Sequence, residues 1–349
     1  MKKNIDNKIK KEVNEDGNKK RGLLVFFRNY WDCFLTIIII VICFNVKLPY
    51  YIYAPGGTID ISDRIEYAEK KEYDGSLNML YVREYEANIP TYLLSFVFKN
   101  WDLESISKSQ ISNESMVEID VRNKIMLNSS INNAKYVAYT EAGKEITVSS
   151  KRHMIIGTLT ETNLKIGDQI LKINDNDIED LSDIKQVINE SAVQDEIRFL
   201  VNRNEEEIEV IESVKEIEGV KAIGVIFITD YEYQLSPAIE LKFKNSESGS
   251  SGGLMMALSI YSAISDEDLL KGRNIAGTGT IDINGNVGEI AGVKYKIMGA
   301  VRKGMDVVLV PSANYEEAIK TKKDNNYDIE IVKVEKFSDA IEYLKNQEL

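Results

Sequence analysis

The residues best suited to chemistry stand in one short run, Gly249-Ser250-Ser251-Gly252-Gly253, which leads straight into the apolar stretch 254–264. A polar, glycine-rich turn that opens a helix presents N–H groups without intrahelical partners, and its glycines let the backbone approach a ligand closely. Ser251 sits at that junction as a candidate nucleophile, with Ser250 as the alternative hydroxyl. The backbone N–H groups of Ser250, Ser251, Gly252 and Gly253 are candidate donors to the oxyanion of acyl transfer. Such a serine needs a base. The chain has one histidine, His153, so a Ser-His-Asp triad has no other histidine to use. Downstream, residues 275–312 carry Lys294 and Lys296 in a predicted helix. An exposed lysine stays protonated up to about pH 10.4 and is no base at neutral pH. Burial disfavours the ammonium and lowers that value. Thr278 or another hydroxyl is placed to orient the neutral amine.

Other chemistries are poorly supplied. One histidine and two cysteines, Cys33 and Cys43, nearly exclude a zinc site of several His or Cys ligands, and they exclude a disulfide framework. No metal and no cofactor are expected. No Gly-x-x-x-x-Gly-Lys-Ser/Thr run occurs, so ATP is not an expected ligand. A formal charge of −13 makes the chain a poor nonspecific partner for nucleic acid.

The elements that must position these residues follow from pattern. At 349 residues, the chain has room for two or three domains. The region 219–349 reads as α/β: a strand and turns at 275–288, a helix holding both lysines, and the strand Val-Val-Leu-Val-Pro at 307–311. Residues 150–212 form a second unit. Its order is a strand at 153–159, a turn at Gly167-Asp168, a strand, a turn, a helix capped by Asp180 or Ser182, and two strands. Residues 54–149 read as an α+β region expected to pack with the body of 219–349. Strands are expected at 58–62 and 76–82 and helix over much of 105–140, while 90–98 is ambiguous.

Residues 1–30 carry nine Lys or Arg and four Asp or Glu, a balance of +5, so the remainder sums to −18. Between the two lies an apolar segment. Its strongest part, 33–46, spans roughly 21 Å as a helix, short of a hydrocarbon core of about 30 Å. Extension to 31–53 supplies the missing length and brings Trp31, Tyr50, Tyr51 and Tyr53 toward the interfaces. The expectation is one N-terminal transmembrane helix at 31–53 in the lipid bilayer, with the basic 1–30 tail cytoplasmic and the body extracytoplasmic. A cleaved signal peptide is the alternative.

Two resemblances sharpen this reading. Residues 219–349 resemble the proteolytic domain of Lon peptidases. The family serine lies in Gly-Pro-Ser-Ala-Gly, which aligns with Gly249-Ser250-Ser251-Gly252-Gly253 and implies Ser251 as nucleophile. The family lysine ends a Gly-Gly-Leu/Ile-x-x-Lys run, here Ala291-Gly292-Val293-Lys294-Tyr295-Lys296, which implies Lys296 as base. Thr278-Gly279 matches the family Thr-Gly, so Thr278 is implied as its support. Ser250, Gly252 and Ala291 depart from the pattern. Residues 150–212 resemble a PDZ domain, β-rich and α+β, which implies capture of an extended peptide at a sheet edge, expected at strand 153–159. No Gly-Leu-Gly-Phe-like loop precedes that strand, so internal peptides and free C-termini both stay open as ligands.

The whole arrangement resembles the bacterial membrane-anchored, PDZ-containing Lon-like serine proteases. That implies an ATP-independent serine endopeptidase with a Ser-Lys dyad, single-pass in the bacterial cell membrane and cleaving exported proteins or peptides at its outer face. A homo-oligomer is among the expected associations. Two alternatives stay open: a membrane-anchored PDZ peptide-binding scaffold with a degenerate protease domain, and a Ser-Lys esterase or amidase.

Overall fold

The computed structural model describes residues 28–67, 74–106, 114–265 and 267–347. Most of the expected basic tail lies outside the described residues. Two compact units divide the chain. The first holds the described parts of Met1–Tyr53 and Glu84–Ser107, the second those of Ala54–Arg83 and Lys108–Leu349.

In the first unit, helix α1 runs Trp31–Asn45, 15 residues, and none of them is buried. Its polar side chains turn back onto their own backbone: Thr36 donates to Asp32 O and Asn45 to Val41 O, each at 2.8 Å. The expected single helix over 31–53 is corrected here. The chain leaves the helix at Asn45, and strand β1 covers Lys47–Asp60. Pro49 explains the stop, because its ring and missing N–H disfavour helix at and before it. The aromatic run Tyr50–Tyr53 suits a pleated ladder instead. It pairs antiparallel with Ser105–Asp102 of β3 (Asp102–Ser105), which follows strand β2 (Ser76–Asn88) and helix α2 (Ile89–Ser95). Among the described residues no helix is long and apolar enough to cross a membrane. The ambiguous segment at 90–98 is helical through Ser95. Asn88 Oδ1 accepts from Thr91 N at 3.0 Å and Thr91 Oγ1 accepts from Asn88 N at 2.9 Å, a reciprocal cap.

In the second unit, helix α3 (Met116–Glu141) starts from a Ser115/Glu118 capping box. It is followed by an antiparallel sheet built from β4 (Glu145–Thr158), β5 (Gln169–Ile173), β6 (Glu196–Arg203), β7 (Glu206–Ser213) and β8 (Val225–Ser236), in the order β8–β4–β5–β6–β7. Helix α4 (Leu181–Glu190), between β5 and β6, buries Ile184 and Ile188 in a core with Ile155, Ile197, Phe199 and Val201. The Gly167-Asp168 turn has a packing reason. Asp168 is fully buried and takes both prongs of the Arg203 guanidinium at 2.7 Å, plus Lys165 N at 2.8 Å. This sheet does not close at 212. One of its two edge strands is β8, which pairs with the whole of β4, from Val225 opposite Thr158 to Ser236 opposite Glu145.

The remaining elements are α5 (Gly253–Ile264), β9 (Asn274–Gly277), α6 (Val293–Arg302), β10 (Val307–Pro311), α7 (Tyr315–Asp324), β11 (Glu330–Val334) and α8 (Phe337–Asn346). Within this unit a second sheet runs β11–β10–β9, then the 76–83 part of β2 and the 54–60 part of β1. Asn274–Gly277 lies parallel to Ser76–Met79 and Ile275–Gly277 parallel to Val307–Leu309. Residues upstream of 149 therefore build the same sheet as residues downstream of 219. Helix α5 is apolar around its circumference and buried except at Ala263, as a helix wrapped by core must be. Against it pack Leu127, Ile131, Ala134 and Ala138 of α3. The helix that delivers the serine is thus fixed by a helix 120 residues earlier in the chain.

Candidate active site

The turn 249–252 is shaped by close approach. Gly249 has φ +88°. A Cβ on Gly253 would lie 2.8 Å from both Ile281 Cγ2 and Ser130 Oγ, so only glycine fits at the helix entrance. A Cβ on Gly252 would meet the Met79 sulfur at 1.9 Å, so alanine, which the resemblance has there, requires the Met79 side chain to shift. Four contacts hold the turn. Arg64 grips Glu247 through Nε at 3.1 Å and a second nitrogen at 2.6 Å. Gly249 N donates to Asn123 O at 3.1 Å, and Ser130 Oγ donates to Ser250 O at 3.1 Å. Gly279 N donates to Ser251 O at 2.8 Å.

Lys296 lies on α6 with 3% of its surface exposed. Its Nζ is 2.8 Å from Ser251 Oγ and 2.7 Å from Thr278 Oγ1. Thr278, fully buried, donates to Ser251 O at 2.9 Å. A hydroxyl has one hydrogen, so Thr278 must accept from the amine. The amine lone pair is then left for the Ser251 O–H. Burial pushes the Lys296 amine down to about 7, so near neutral pH a large share is unprotonated. Ser251 itself is half-buried and Thr278 anchors both partners.

Lys294 is two residues away on the same helix and cannot face the same way. Its Nζ stands 5.0 Å from the centroid of the Tyr295 ring. His153 is on β4, its Nδ1 3.0 Å from Thr229 Oγ1 within the antiparallel sheet. Gly253 N already donates to Ser250 O at 3.2 Å, which leaves the Ser250, Ser251 and Gly252 amides of the four candidate donors. Among the described residues no group of three or more His, Cys, Asp or Glu side chains is arranged to hold a metal ion.

Sequence reasoning missed the part played by Asn123 and Ser130, which look like ordinary polar positions of an amphipathic helix. Strand 153–159, expected as a sheet edge, is instead an interior strand. It has β8 on one side and β5 on the other. The sheet's edges are β8 and β7. The segment entering β8, 218–224, contains the strand Val220–Ala222, paired antiparallel with Lys215–Ile217, and has Glu218, Gly219 and Gly224 at φ +51°, +80° and +76°. Lys221 Nζ ties this segment to the C-terminal end of α4, at Asn189 O (2.9 Å) and Ser191 O (2.6 Å). The available signal was the apolar-Gly-apolar run Ile223-Gly224-Val225 ahead of an alternating strand.

If Thr278 orients the amine, Thr278→Val should lower kcat about 100-fold with KM nearly unchanged, and Thr278→Ser should restore most of it. Steady-state kinetics on one peptide check this. Equal loss in Thr278→Ser would contradict the hydroxyl's role.

The folds and this geometry agree with what known families look like. Residues 245–346 match the Lon protease (S16) C-terminal proteolytic domain, and residues 156–212 match the PDZ domain. The chain therefore carries a Lon-type proteolytic domain and a PDZ domain. Among curated relatives, the Lon protease of Campylobacter jejuni is 35% identical over 96 residues, 27% of this chain and 12% of that protein. The Lon protease of Roseiflexus castenholzii is 36% identical over 93 residues, 27% and 11% respectively. That of Clostridium acetobutylicum is 29% identical over 126 residues, 35% and 16%. The chain thus aligns with only 11–16% of the length of these relatives. A solved PDZ domain, from the SdrC-like protein of Listeria monocytogenes, covers 24% of this chain at 16% identity with a TM-score of 0.22, and 93% of that domain is covered.

Proposed function

We propose that this protein is a serine endopeptidase that works by a Ser251-Lys296 dyad without ATP. The observation that carries the reading is the 2.8 Å contact between Ser251 Oγ and a buried amine lowered to about 7. In the proposed cycle Lys296 accepts the Ser251 proton as Oγ attacks the peptide carbonyl carbon. The tetrahedral oxygen is held by backbone N–H groups of 250–252. As the C–N bond breaks, the Lys296 ammonium returns its proton to the leaving amine. Water then attacks the acyl ester, again losing a proton to Lys296, and Ser251 leaves with that proton.

The second domain delivers substrate in this reading. An extended peptide adds to the free edge of β8 beside α4, its end held by the 218–224 segment. A peptide that the enzyme cleaves should slow amide exchange in 225–231. Protection confined to 153–159, or to neither strand, would reject that delivery route.

Helix α1 supports a membrane anchor, with Ile37 to Ile42 each about half exposed and a basic flank on its N-terminal side. The substrates are then exported proteins or peptides, met outside the cell membrane of a bacterium, with the N-terminus cytoplasmic. Incubation of the full chain with an unstructured polypeptide and no nucleotide tests the activity. Internal peptide-bond cleavage is expected. Hydrolysis of activated esters with intact polypeptide would favour an esterase or amidase instead.

A further inference from the structure

The first unit carries a second apolar surface that its own fold leaves uncovered. Leu93 is 60% exposed, Phe96 and Val97 are 70% exposed, and Phe98 is 46% exposed. Single exposed apolar residues are ordinary, but a contiguous group this size marks an interaction site. It lies at the end of α1. Asn88, the cap of α2, donates to Phe44 O in the last turn of α1 at 3.2 Å. The Tyr92 ring sits 5.4 Å from that of Tyr50, and Phe96 packs edge-on against Tyr92 at 5.3 Å. Behind the patch Trp101 contacts Phe98 and Tyr85, at 4.9 and 5.8 Å between ring centroids.

We infer that 92–101 is a lipid-binding surface that enters the outer leaflet beside α1. The inference rests on the anchored reading above. A helix of 15 residues spans only about 22 Å, less than the hydrocarbon core of about 30 Å. If α1 is embedded, residues tied to Phe44 and Tyr50 sit at the level where it leaves the bilayer. Apolar side chains at that depth meet acyl chains, and the tyrosines and Trp101 suit the headgroup boundary, where a ring with one polar end is stable. Lys47 follows α1 and pairs with Glu86 at 2.6 Å, and Lys99 lies within the segment, where its stem can reach a headgroup layer. Lipid is thus the occupant that suits both the exposed apolar side chains and the aromatic rings beside them. The short helix and the patch together form one anchor.

The test uses the full chain with Trp31→Phe, leaving Trp101 as the sole tryptophan of the two. It is reconstituted into phosphatidylcholine–phosphatidylglycerol vesicles, with lipids brominated near the headgroup or deep in the tail. At least twofold quenching of Trp101 by the shallow label is expected, with less by the deep one. Phe96→Glu combined with Val97→Asp should reduce that quenching at least twofold while the chain still resists alkaline extraction. Retention at alkaline pH without quenching would overturn the lipid surface and leave the anchor standing. Release by alkaline wash would overturn both. Shielding of Trp101 from lipid bromine and aqueous iodide alike would put protein on the patch, a second copy included, and would also overturn the proposal.

Discussion

Ser251→Ala is expected to lower peptide cleavage at least ~10³-fold with the fold intact, and Ser250→Ala by less than about tenfold. The two hydroxyls are adjacent, so sequence alone leaves either as the attacker. Their surroundings differ. Ser251 Oγ is the one within 2.8 Å of the Lys296 amine. Ser250 instead lends its carbonyl to the turn, accepting from Ser130 and from Gly253 N. Removing the Ser251 oxygen opens little space, because the side chain is small and half-buried. Cleavage rates beside far-UV spectra for both variants check the assignment. Transfer of the large loss to Ser250→Ala would identify the neighbouring hydroxyl as nucleophile.

Replacing the lysine should have opposite effects on activity and stability. Lys296→Met removes the base and should cost at least ~10³-fold in kcat. Lys296→Arg should fail as well, since a guanidinium stays protonated and cannot accept the serine proton. The sign for stability follows from the two states of the amine. It titrates near 10.4 in the unfolded chain and near 7 in the folded one. Between those values the unfolded chain binds the extra proton, so lysine-linked stability rises with pH across that window. Below pH 7 the full cost of burying the amine is present. Lys296→Met should therefore be more stable than wild type at neutral and lower pH, by an amount on the order of 3 kcal/mol, and the gain should shrink toward pH 10. Denaturant midpoints across pH 6–10 measure it. An inactive variant no more stable than wild type at pH 6 would mean the native amine is not desolvated.

The site was legible where its signals are local. Gly249–Gly253 precedes an apolar run, and Val293–Arg302 carries Lys296 on an element with plain helical periodicity. Choosing Lys296 over Lys294 needed the resemblance, because two lysines at i and i+2 carry no mark of which side the core will cover. The contribution of α3 was not legible. Asn123 and Ser130 reach the nucleophile turn across about 120 residues of chain, through one backbone carbonyl and one hydroxyl that no motif records. The same kind of long-range pairing hid the edge of the second domain. β8 finds β4 some 70 residues earlier, after a stretch that looked complete at residue 212. At the N-terminus hydropathy overrode a local stop. Pro49 and the Tyr50–Tyr53 run already favour a strand, and pairing with Asp102–Ser105 settles it.

Covalent phosphonylation of Ser251 as a function of pH tests the dyad most directly. A fluorophosphonate probe, with its adduct mapped by mass spectrometry, reads both the residue and the rate. One adduct is expected, on Ser251, forming at a rate that rises about tenfold per pH unit below 7 and levels above it, and lost in Lys296→Met. Modification of Ser250 instead, or a Ser251 rate that is flat from pH 5 to 9, would contradict a dyad in which a neutral Lys296 takes the serine proton.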